Sequence, residues 1–301
     1  MPELPEVETT KNGLNKTVVG KKITDVWTSY ASSFHNGKEN IKNTKYFPIF
    51  KQLVLNQTIT GTQRRGKNIL ISLSNGNTIH VHMKMTGHFL YGKYEYDKKT
   101  NKWHPKDENL KNPFSRHVRL VFSINDDKCL AFSDMRKFAK VCLIKKDEKS
   151  SDIENLGAEP LEKSFSLKKL TEALLSKPQT PLKTVLMDQT LVAGIGNIYS
   201  DEILWASNIH PLSKSSSLNE KNFKDILKNT KSILTKSIKM GGDSMSDYRN
   251  IYGEKGNFQN AHKVYRKVGE KCAKKNCNGI IKKIIIGGRS THFCPKHQKL
   301  I

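Results

Sequence analysis

The sequence has no apolar run that approaches the roughly 18 residues needed to cross a bilayer. Its amino terminus is acidic and carries no apolar stretch of the kind found in secretory signals. Acidic residues are scarce, because 28 Asp and Glu face 52 Lys and Arg, which gives a formal net charge of +24. We therefore expect no membrane contact, a cytoplasmic location and a polyanionic partner, with nucleic acid as the first choice.

The five cysteines are an odd number and are unevenly spaced, which is not typical of a secreted disulfide framework. Cys129 and Cys142 lie in strand-like apolar runs and are expected to be buried thiols. The other three lie near the carboxyl end in the pattern C-x4-C, sixteen residues, C-x2-H. Two short knuckles joined by a hairpin-length spacer can place four ligands around one structural Zn²⁺. The predicted ligands are Cys272, Cys277, Cys294 and His297.

His292 is the alternative fourth ligand, but it lies two residues before Cys294 and is expected to point to the opposite strand face. The segment between the knuckles is basic and contains a glycine pair directly before Arg289, which predicts a hairpin tip there. A compact basic hairpin of this kind is expected to contact phosphates or insert a side chain into a nucleic-acid groove, with Arg289 at its tip.

Hydrophobic patterning predicts an α+β protein in which an antiparallel β-sandwich flanked by helices precedes a helical region. A helix is predicted near residues 3–15, and alternation around Asn75-Gly76 predicts a hairpin. A second hairpin is predicted in "HVRLVFSINDDKCLAFSD", with "KFAKVCLIKK" as its extension. The segment near 91–113 lacks periodicity and is interpreted as a long surface loop.

A polar linker near residue 150 divides the predicted domains. We expect residues 1–150 to form the sandwich, 151–261 a helical domain with a glycine-rich loop at about 241–261, and 262–301 the zinc hairpin. Within the helical part, "LVAGIGNIYSDEIL" joins two helices through G-x-G. A dinucleotide fold is disfavoured because no strand precedes this turn, so we expect a phosphate-binding helix start capped by Asn197.

Longer motifs carry a family resemblance. "MPELPEVETT", "QRRGK", "HMKMTG", "DMRKF", "LGAEPL", "LMDQTLVAGIGNIYSDEILWASNIHP" and the terminal cysteine hairpin occur in this order. The chain resembles the formamidopyrimidine-DNA glycosylases, bacterial enzymes of base excision repair. The resemblance implies a β-sandwich, a helix–two-turn–helix module and a zinc finger. It also implies a monomer that acts on double-stranded DNA with oxidised bases or abasic sites.

The resemblance further implies a glycosylase that excises oxidised purines and an abasic-site lyase that proceeds by β,δ-elimination. Removal of Met1 would free the amine of Pro2 to form a Schiff base with the sugar, because an acylated proline nitrogen has no available lone pair. The implied catalytic residues are Pro2, Glu3, Glu6 and Lys67. The implied DNA contacts are the wedge residues Met85, Arg136 and Phe138, the phosphate or abasic-site contacts Lys183, Asn197 and Arg289, and His117.

The chain departs from the family pattern in several places. The first knuckle has four spacer residues instead of two, and His297 replaces a cysteine. Asn257 replaces a common tyrosine in the lesion loop, the segment "SMSDYRNIYGEKGNFQ" that resembles the family loop closing over an everted oxidised purine, and Met135 replaces a proline. The segment around residues 91–113 is an insertion to which the resemblance assigns no role. Two alternatives stay open: an endonuclease VIII-like glycosylase for oxidised pyrimidines, and a non-catalytic zinc protein that binds damaged DNA.

Overall fold

The computed structural model describes residues 1–125 and 127–301, and it divides into two compact units. The first unit comprises Met1–Glu154 and Gly241–Asn257, and the second comprises Asn155–Met240 and Phe258–Ile301. Among the described residues, the helices are all too short or too polar to traverse a lipid bilayer.

Seven α-helices and twelve β-strands are found in the described ranges. The helices are α1 Leu4–Thr17, α2 Tyr46–Val54, α3 Ser151–Glu154, α4 Leu167–Leu175, α5 Leu182–Met187, α6 Asn197–Ala206 and α7 Glu220–Lys239. The strands are β1 Ile23–Thr28, β2 Ile59–Arg65, β3 Asn68–Leu73, β4 Thr78–His82, β5 His88–Gly92, β6 Tyr94–Asp97, β7 Lys102–Pro105, β8 Val118–Ile124, β9 Cys129–Ser133, β10 Lys140–Ile144, β11 Lys282–Ile286 and β12 Arg289–Phe293.

The first unit is built on two four-stranded antiparallel sheets, in the orders β1-β8-β9-β5 and β10-β4-β3-β2. Alternating residues of both sheets enter one hydrophobic core, including Ile71 of β3 and Phe122 of β8. Because each sheet has one face packed on this core, the predicted β-sandwich is confirmed. The hairpin predicted around Asn75-Gly76 is also present, as β3 and β4.

The assignment of β10 as an extension of the second hairpin is wrong. The strand pairs instead with β4, where Val141 lies opposite Val81, so it belongs to the other sheet. Val141 and Leu143 are buried in the core that the two sheets share. A strand of either sheet would bury the same alternating residues in this core. Alternation therefore identifies the strand without identifying its partner.

The interpretation of residues 91–113 as an irregular surface loop is also wrong. This insertion contains the β6–β7 hairpin, in which Tyr96 is opposite Trp103, followed by a 3₁₀ turn. Aromatic contacts stabilise the hairpin. The ring centroids of Trp27 and Tyr96 are 6.3 Å apart in an edge arrangement, and those of Tyr96 and Trp103 are 5.4 Å apart in a tilted one. Both strands have four residues and no fully buried face, so they leave no clear alternation in the sequence.

The second unit contains the helices α4 to α7 and the β11–β12 hairpin. Helix α7 begins with a capping box between Asn219 and Asn222. It packs on α6, where the hydroxyl oxygens of Tyr199 and Ser237 lie 2.6 Å apart. These helices form the framework that carries the glycine turn and the cysteine hairpin.

The glycine-rich loop, which the sequence analysis grouped with the helical domain, packs in the first unit up to Asn257. Ile251 is buried in the sandwich core, and its carbonyl accepts a hydrogen bond from Tyr91 N–H at 2.8 Å. Helix α1 approaches Ile251 closely at Gly13, where an added Cβ would lie 2.5 Å from the Ile251 side chain. A buried aliphatic side chain and a strand-edge hydrogen bond thus anchor the loop.

Candidate active site and nucleic-acid interface

The start of α1 brings three predicted catalytic residues together. The helix begins at Leu4, so Pro2 and Glu3 precede its first turn, and both are buried. Glu6 forms a capping box with Glu3 and accepts a hydrogen bond from Glu3 N–H at 2.8 Å. This reciprocal cap fixes the backbone of the residue that follows Pro2.

The glycine-rich loop contacts the same carboxylate. Oε1 of Glu6 accepts a hydrogen bond from Asp243 N–H at 2.7 Å, and the Glu6 carbonyl accepts one from the Tyr248 hydroxyl at 3.0 Å. Gly242 has a φ of +84°, and a Cβ there would lie 3.0 Å from the Glu6 side chain. Sequence reasoning missed Asp243 and Tyr248, although the Gly241-Gly242 pair was a signal for close backbone approach.

The insertion supports the far side of this loop. Asn109 donates to the Tyr252 carbonyl at 2.7 Å, and Asn112 donates to the Gly253 carbonyl at 3.4 Å. The guanidinium of Arg249 lies 4.4 Å from the centre of the Phe114 ring. The segment to which the sequence assigned no role therefore helps to hold the loop that contacts Glu6.

Lys67 follows the turn between β2 and β3, where Gly66 has a φ of +56°. Its side chain is buried. Arg64 holds this turn by donating to the Gly66 carbonyl at 3.1 Å, and it also pairs with Glu8 of α1 at 2.7 Å. The strand that leads into Lys67 is thus tied to the helix that follows Glu3.

The three wedge residues lie on two neighbouring turns of the first unit. Met85, Arg136 and Phe138 are all exposed, with exposed fractions of 39% for Met85 and 51% for Phe138. The guanidinium of Arg136 lies 4.6 Å from the centre of the Phe138 ring. Exposure of large apolar side chains is unfavourable in water, so these residues are suited to contact a partner.

Asp134 organises both turns, and sequence reasoning did not single it out from the "DMRKF" motif. It is fully buried and accepts hydrogen bonds from the Thr86 hydroxyl, the Tyr30 hydroxyl at 2.8 Å and Ala139 N–H at 2.9 Å. Thr86 in turn accepts from Arg136 N–H at 3.1 Å. This network fixes the turn that carries Met85 relative to the turn that carries Arg136 and Phe138.

His117 lies at the start of β8, partly buried, and its Nε2 accepts a hydrogen bond from Arg116 Nε at 3.3 Å. Burial and the positive charges of Arg116 and Arg119 lower the pKa of His117. The imidazole is therefore neutral near pH 7 and does not itself add positive charge to this surface.

In the second unit, a glycine turn joins α5 to α6, and Gly194 has a φ of +90°. Gln189 holds the turn by accepting from Gly194 N–H at 2.9 Å and donating to the Ile195 carbonyl at 2.7 Å. The prediction that Asn197 caps α6 is wrong, because Gly196 is the N-cap and Asn197 is the first helical residue. Its side-chain oxygen is buried and accepts no hydrogen bond from the residues that the structure describes.

Lys183 was predicted to contact DNA, and the structure places its side chain in the interior. The ammonium pairs with one oxygen of Asp201, and both side chains are almost fully buried. The other oxygen of Asp201 accepts from His292 N–H and lies 2.9 Å from His292 Nδ1. Asp201 of α6 therefore joins α5 to strand β12.

The four predicted zinc ligands lie together at one end of the β11–β12 hairpin. The ligand atoms of Cys272, Cys277, Cys294 and His297 are all within 4.8 Å of one another. His292, the alternative fourth ligand, is not a member of this cluster, and its Nδ1 lies 2.9 Å from Asp201. Arg289 is exposed at the opposite end, directly after the turn Gly287-Gly288, as predicted.

The surroundings of the cysteine cluster fit a tetrahedral metal ion. His297 Nε2 lies 3.2 Å from the Trp205 carbonyl, which leaves Nδ1 directed to the thiols, 3.3 Å from Cys272 Sγ. Trp205 Nε1 donates to Cys272 Sγ at 3.4 Å, and Gly279 N–H donates to Cys277 Sγ at 3.4 Å. Outer hydrogen bonds of this kind orient ligands and stabilise thiolates. The residues therefore form a candidate zinc-finger site.

Comparisons with known proteins support this description. A family model described as the formamidopyrimidine-DNA glycosylase N-terminal domain matches residues 1–141. A second model, described as the formamidopyrimidine-DNA glycosylase H2TH domain, matches residues 156–249. The formamidopyrimidine-DNA glycosylase of Streptococcus pneumoniae is 36% identical, with 99% of each chain covered. That of Bacillus cereus is 36% identical over the whole of both chains.

Solved structures of formamidopyrimidine-DNA glycosylases are also similar to this chain. A Lactococcus lactis formamidopyrimidine-DNA glycosylase bound non-covalently to DNA with an abasic site has a TM-score of 0.80 and 33% identity, with 99% of each chain covered. A mutant of the Lactococcus lactis protein in complex with DNA that contains Fapy-dG has a TM-score of 0.78 and 32% identity, with 98% of each chain covered.

Proposed function

The chain belongs to the formamidopyrimidine-DNA glycosylase family, and from this premise we propose that it excises oxidised purines from duplex DNA and then cleaves the abasic strand. The observation that carries the proposal is the start of α1. There, Pro2, Glu3 and Glu6 are buried together, and the Glu6 carboxylate also accepts from the loop at Asp243.

The proposed nucleophile is the amine of Pro2 after removal of Met1. A secondary amine at a chain start titrates not far above neutral pH, so a useful fraction carries a lone pair. The nitrogen attacks C1′ of the sugar while the bond to the damaged base breaks and the base departs with the electron pair. The amine proton is lost, and opening of the sugar ring leaves a cationic iminium joined to Pro2.

Glu3 is proposed to give a proton to the ring oxygen and later to accept one from C2′. Loss of that proton sends electrons toward the iminium nitrogen and expels the 3′ phosphate, and a second elimination expels the 5′ phosphate. Lys67 is proposed to bind a phosphate beside the lesion. Glu6 is a positioning residue in this scheme, since its two oxygens hold the Glu3 backbone and the loop.

The base must leave the helical stack before this chemistry. Met85, Arg136 and Phe138 are proposed to fill the space that it vacates, as apolar and cationic wedges do in other DNA-bending proteins. Their exposure and the Asp134 network that fixes the two turns support this role. The loop around Tyr248 is proposed to cover the everted base.

The second unit is proposed to bind the DNA backbone. Asn197 offers a half-buried amide at the first turn of α6, and Arg289 offers an exposed guanidinium at a hairpin tip. A zinc ion bound by the cysteine cluster would hold this hairpin in shape. The phosphate contact of Lys183 stays a prediction, since its ammonium is paired with Asp201 in the structure.

Borohydride trapping tests the catalytic proposal. A duplex with 8-oxoguanine opposite cytosine should become covalently joined to the wild-type protein, because borohydride reduces the iminium. Pro2→Gly should weaken trapping, and Glu3→Gln should largely abolish excision, whereas the surface variant Glu220→Gln should behave as wild type. Intact mass of the trapped protein shows whether Met1 has been removed. The absence of any adduct would favour the non-catalytic DNA-binding alternative.

Substrate choice is tested with matched duplexes that contain 8-oxoguanine, a formamidopyrimidine or thymine glycol. We expect faster excision of the two purine lesions, consistent with the Fapy-dG complex of the Lactococcus lactis protein. A strong preference for thymine glycol would support the endonuclease VIII-like alternative and overturn the proposed substrate class.

A further inference from the structure

We propose that the insertion builds a second nucleotide-binding pocket in the first unit, which takes a nucleotide that is outside the base stack. The pocket has a volume of about 700 Å³ and lies between the β6–β7 hairpin, strand β1 and the start of β8. None of the proposed catalytic residues lines it, and among the implied DNA contacts only His117 does. Its volume falls within the range of about 300–1,000 Å³ that is typical of small-molecule sites.

The walls of this pocket are aromatic and apolar. Trp27 and Trp103 line it together with Pro105, Leu110 and Val118. Asn101 fixes the aromatic group, because its side-chain oxygen accepts from Trp27 Nε1 at 3.2 Å and from the Tyr96 hydroxyl at 2.7 Å. Rings held in this way can stack on any nucleobase, since every base has a π face.

Two of the lining residues also carry polar atoms that have no hydrogen-bond partner among the described residues. Trp103 Nε1 and Ser29 Oγ are buried, and neither has a hydrogen-bond partner within residues 1–125 and 127–301. An unpaired buried N–H group is costly, so it favours a ligand that supplies an acceptor. A nucleobase edge supplies acceptors in the plane of the ring.

The charge of the pocket is positive. Its lining includes Lys102, Lys111, Arg116 and Arg119 and contains no Asp or Glu. Lys111 pairs with Glu108, whereas Arg116 and Arg119 have no carboxylate partner among the described residues. Arginine guanidinium groups match phosphate geometry well. Aromatic walls beside arginines that have no carboxylate partner indicate a ligand that joins a planar base to a phosphate.

The probe for this site is the deoxynucleoside monophosphate of 2-aminopurine, whose fluorescence is quenched when it stacks on an indole. We expect saturable quenching, and we expect Trp103→Ala or Arg116→Ala to weaken binding at least tenfold. Trp103→Phe keeps an aromatic wall without the N–H donor and should weaken binding several-fold. Phe34→Ala is the matched control, because Phe34 is exposed beside Lys38 in the same unit but does not line the pocket.

A second arm uses a single-stranded oligonucleotide with one internal 2-aminopurine, which distinguishes a free nucleotide from a base within a strand. Quenching in either arm that depends on Trp103 and Arg116 supports the pocket. Equal binding by wild type and both variants, or equally tight competition by inorganic phosphate, would overturn it. Glu3→Gln should retain this binding while it loses excision, so failure of the pocket and failure of the proposed function remain distinguishable.

Discussion

Glu6 and Asp243 are 237 residues apart in the chain, yet the carboxylate of Glu6 accepts a hydrogen bond from Asp243 N–H at 2.7 Å. The other oxygen of the same carboxylate accepts from Glu3 N–H at 2.8 Å. One side chain therefore holds the backbone of the proposed acid–base residue and the base of the glycine-rich loop. This relationship makes Glu6 the most informative residue to change.

Glu6→Gln is expected to slow excision. Glutamine keeps one acceptor oxygen and replaces the other with an NH₂ group, so one of the two backbone N–H groups loses its partner. Loss of a hydrogen bond to a charged acceptor costs about 1.5–3 kcal/mol, which corresponds to about a 10- to 100-fold lower rate. Single-turnover excision of 8-oxoguanine measures the effect, with Glu220→Gln as the control. A wild-type rate for Glu6→Gln would remove the carboxylate from the positioning role.

Asn109→Ala is expected to loosen the glycine-rich loop. The substitution removes the hydrogen bond from Asn109 to the Tyr252 carbonyl, at a cost of about 1 kcal/mol. Hydrogen exchange of residues 249–253 should become faster, and the KM for lesion-containing DNA should rise more than kcat falls. The matched control is Asn75→Ala, which removes a similar amide contact to the Leu53 carbonyl elsewhere in the unit. Equal loop exchange in both variants would contradict the proposed support.

The first unit should lose stability as the pH falls below neutral. Burial lowers the pKa of His80 and of His88 to about 4, and Nε2 of His88 has no hydrogen-bond partner among the described residues. Between this folded pKa and the unfolded value of about 6.5, the unfolded chain binds more protons, so stability decreases as the pH drops through that window. Thermal unfolding midpoints from about pH 7 to about pH 5 measure the effect.

His88→Gln should reduce this pH dependence, because it removes one group that must stay neutral in the folded protein. His104→Gln is the control, since His104 is exposed. If the unfolding midpoint of wild type, His88→Gln and His104→Gln fell equally with pH, the buried histidines would not be its cause.

His297→Ala is expected to remove bound zinc and disorder the β11–β12 hairpin, whereas His297→Cys should retain the metal through four thiolates. Metal content of the purified protein and DNA affinity are the measurements. The sandwich should keep its near-ultraviolet dichroism in both variants. Normal zinc content in His297→Ala would show that the cluster binds metal without the histidine or binds it elsewhere.

Arg289→Ala is expected to lower DNA affinity on all sequences and to reduce the slope of log affinity against log salt by about 0.9, the value for one phosphate contact. Lys224→Ala, which removes a cation from an exposed pair with Glu220, should leave the slope unchanged. An unchanged slope for Arg289→Ala would place this guanidinium away from phosphate.

The features that the sequence predicted correctly are those that depend on residues close together in the chain. Alternation around Asn75-Gly76 specified a hairpin, and knuckle spacing specified a cluster of Cys272, Cys277, Cys294 and His297. Contacts between distant segments left no comparable signal. Asp134 and Tyr248 contribute to the site through hydrogen bonds to residues far away in the chain. The pairing of β10 with β4 likewise joins segments that are distant in the sequence. The insertion was misread because its two short strands have no fully buried face and therefore no clear alternation in the sequence.

The anchoring of Ile251 has a consequence for any attempt to divide the chain. The polypeptide leaves the first unit after Glu154, returns to it at Gly241 and departs again after Asn257. A fragment that ends at Glu154 would therefore lack part of its own interior and would expose a vacant slot beside Gly13. Protease nicking near residue 150 should yield two pieces that stay associated, because residues 241–257 of the second piece pack into the core of the first unit.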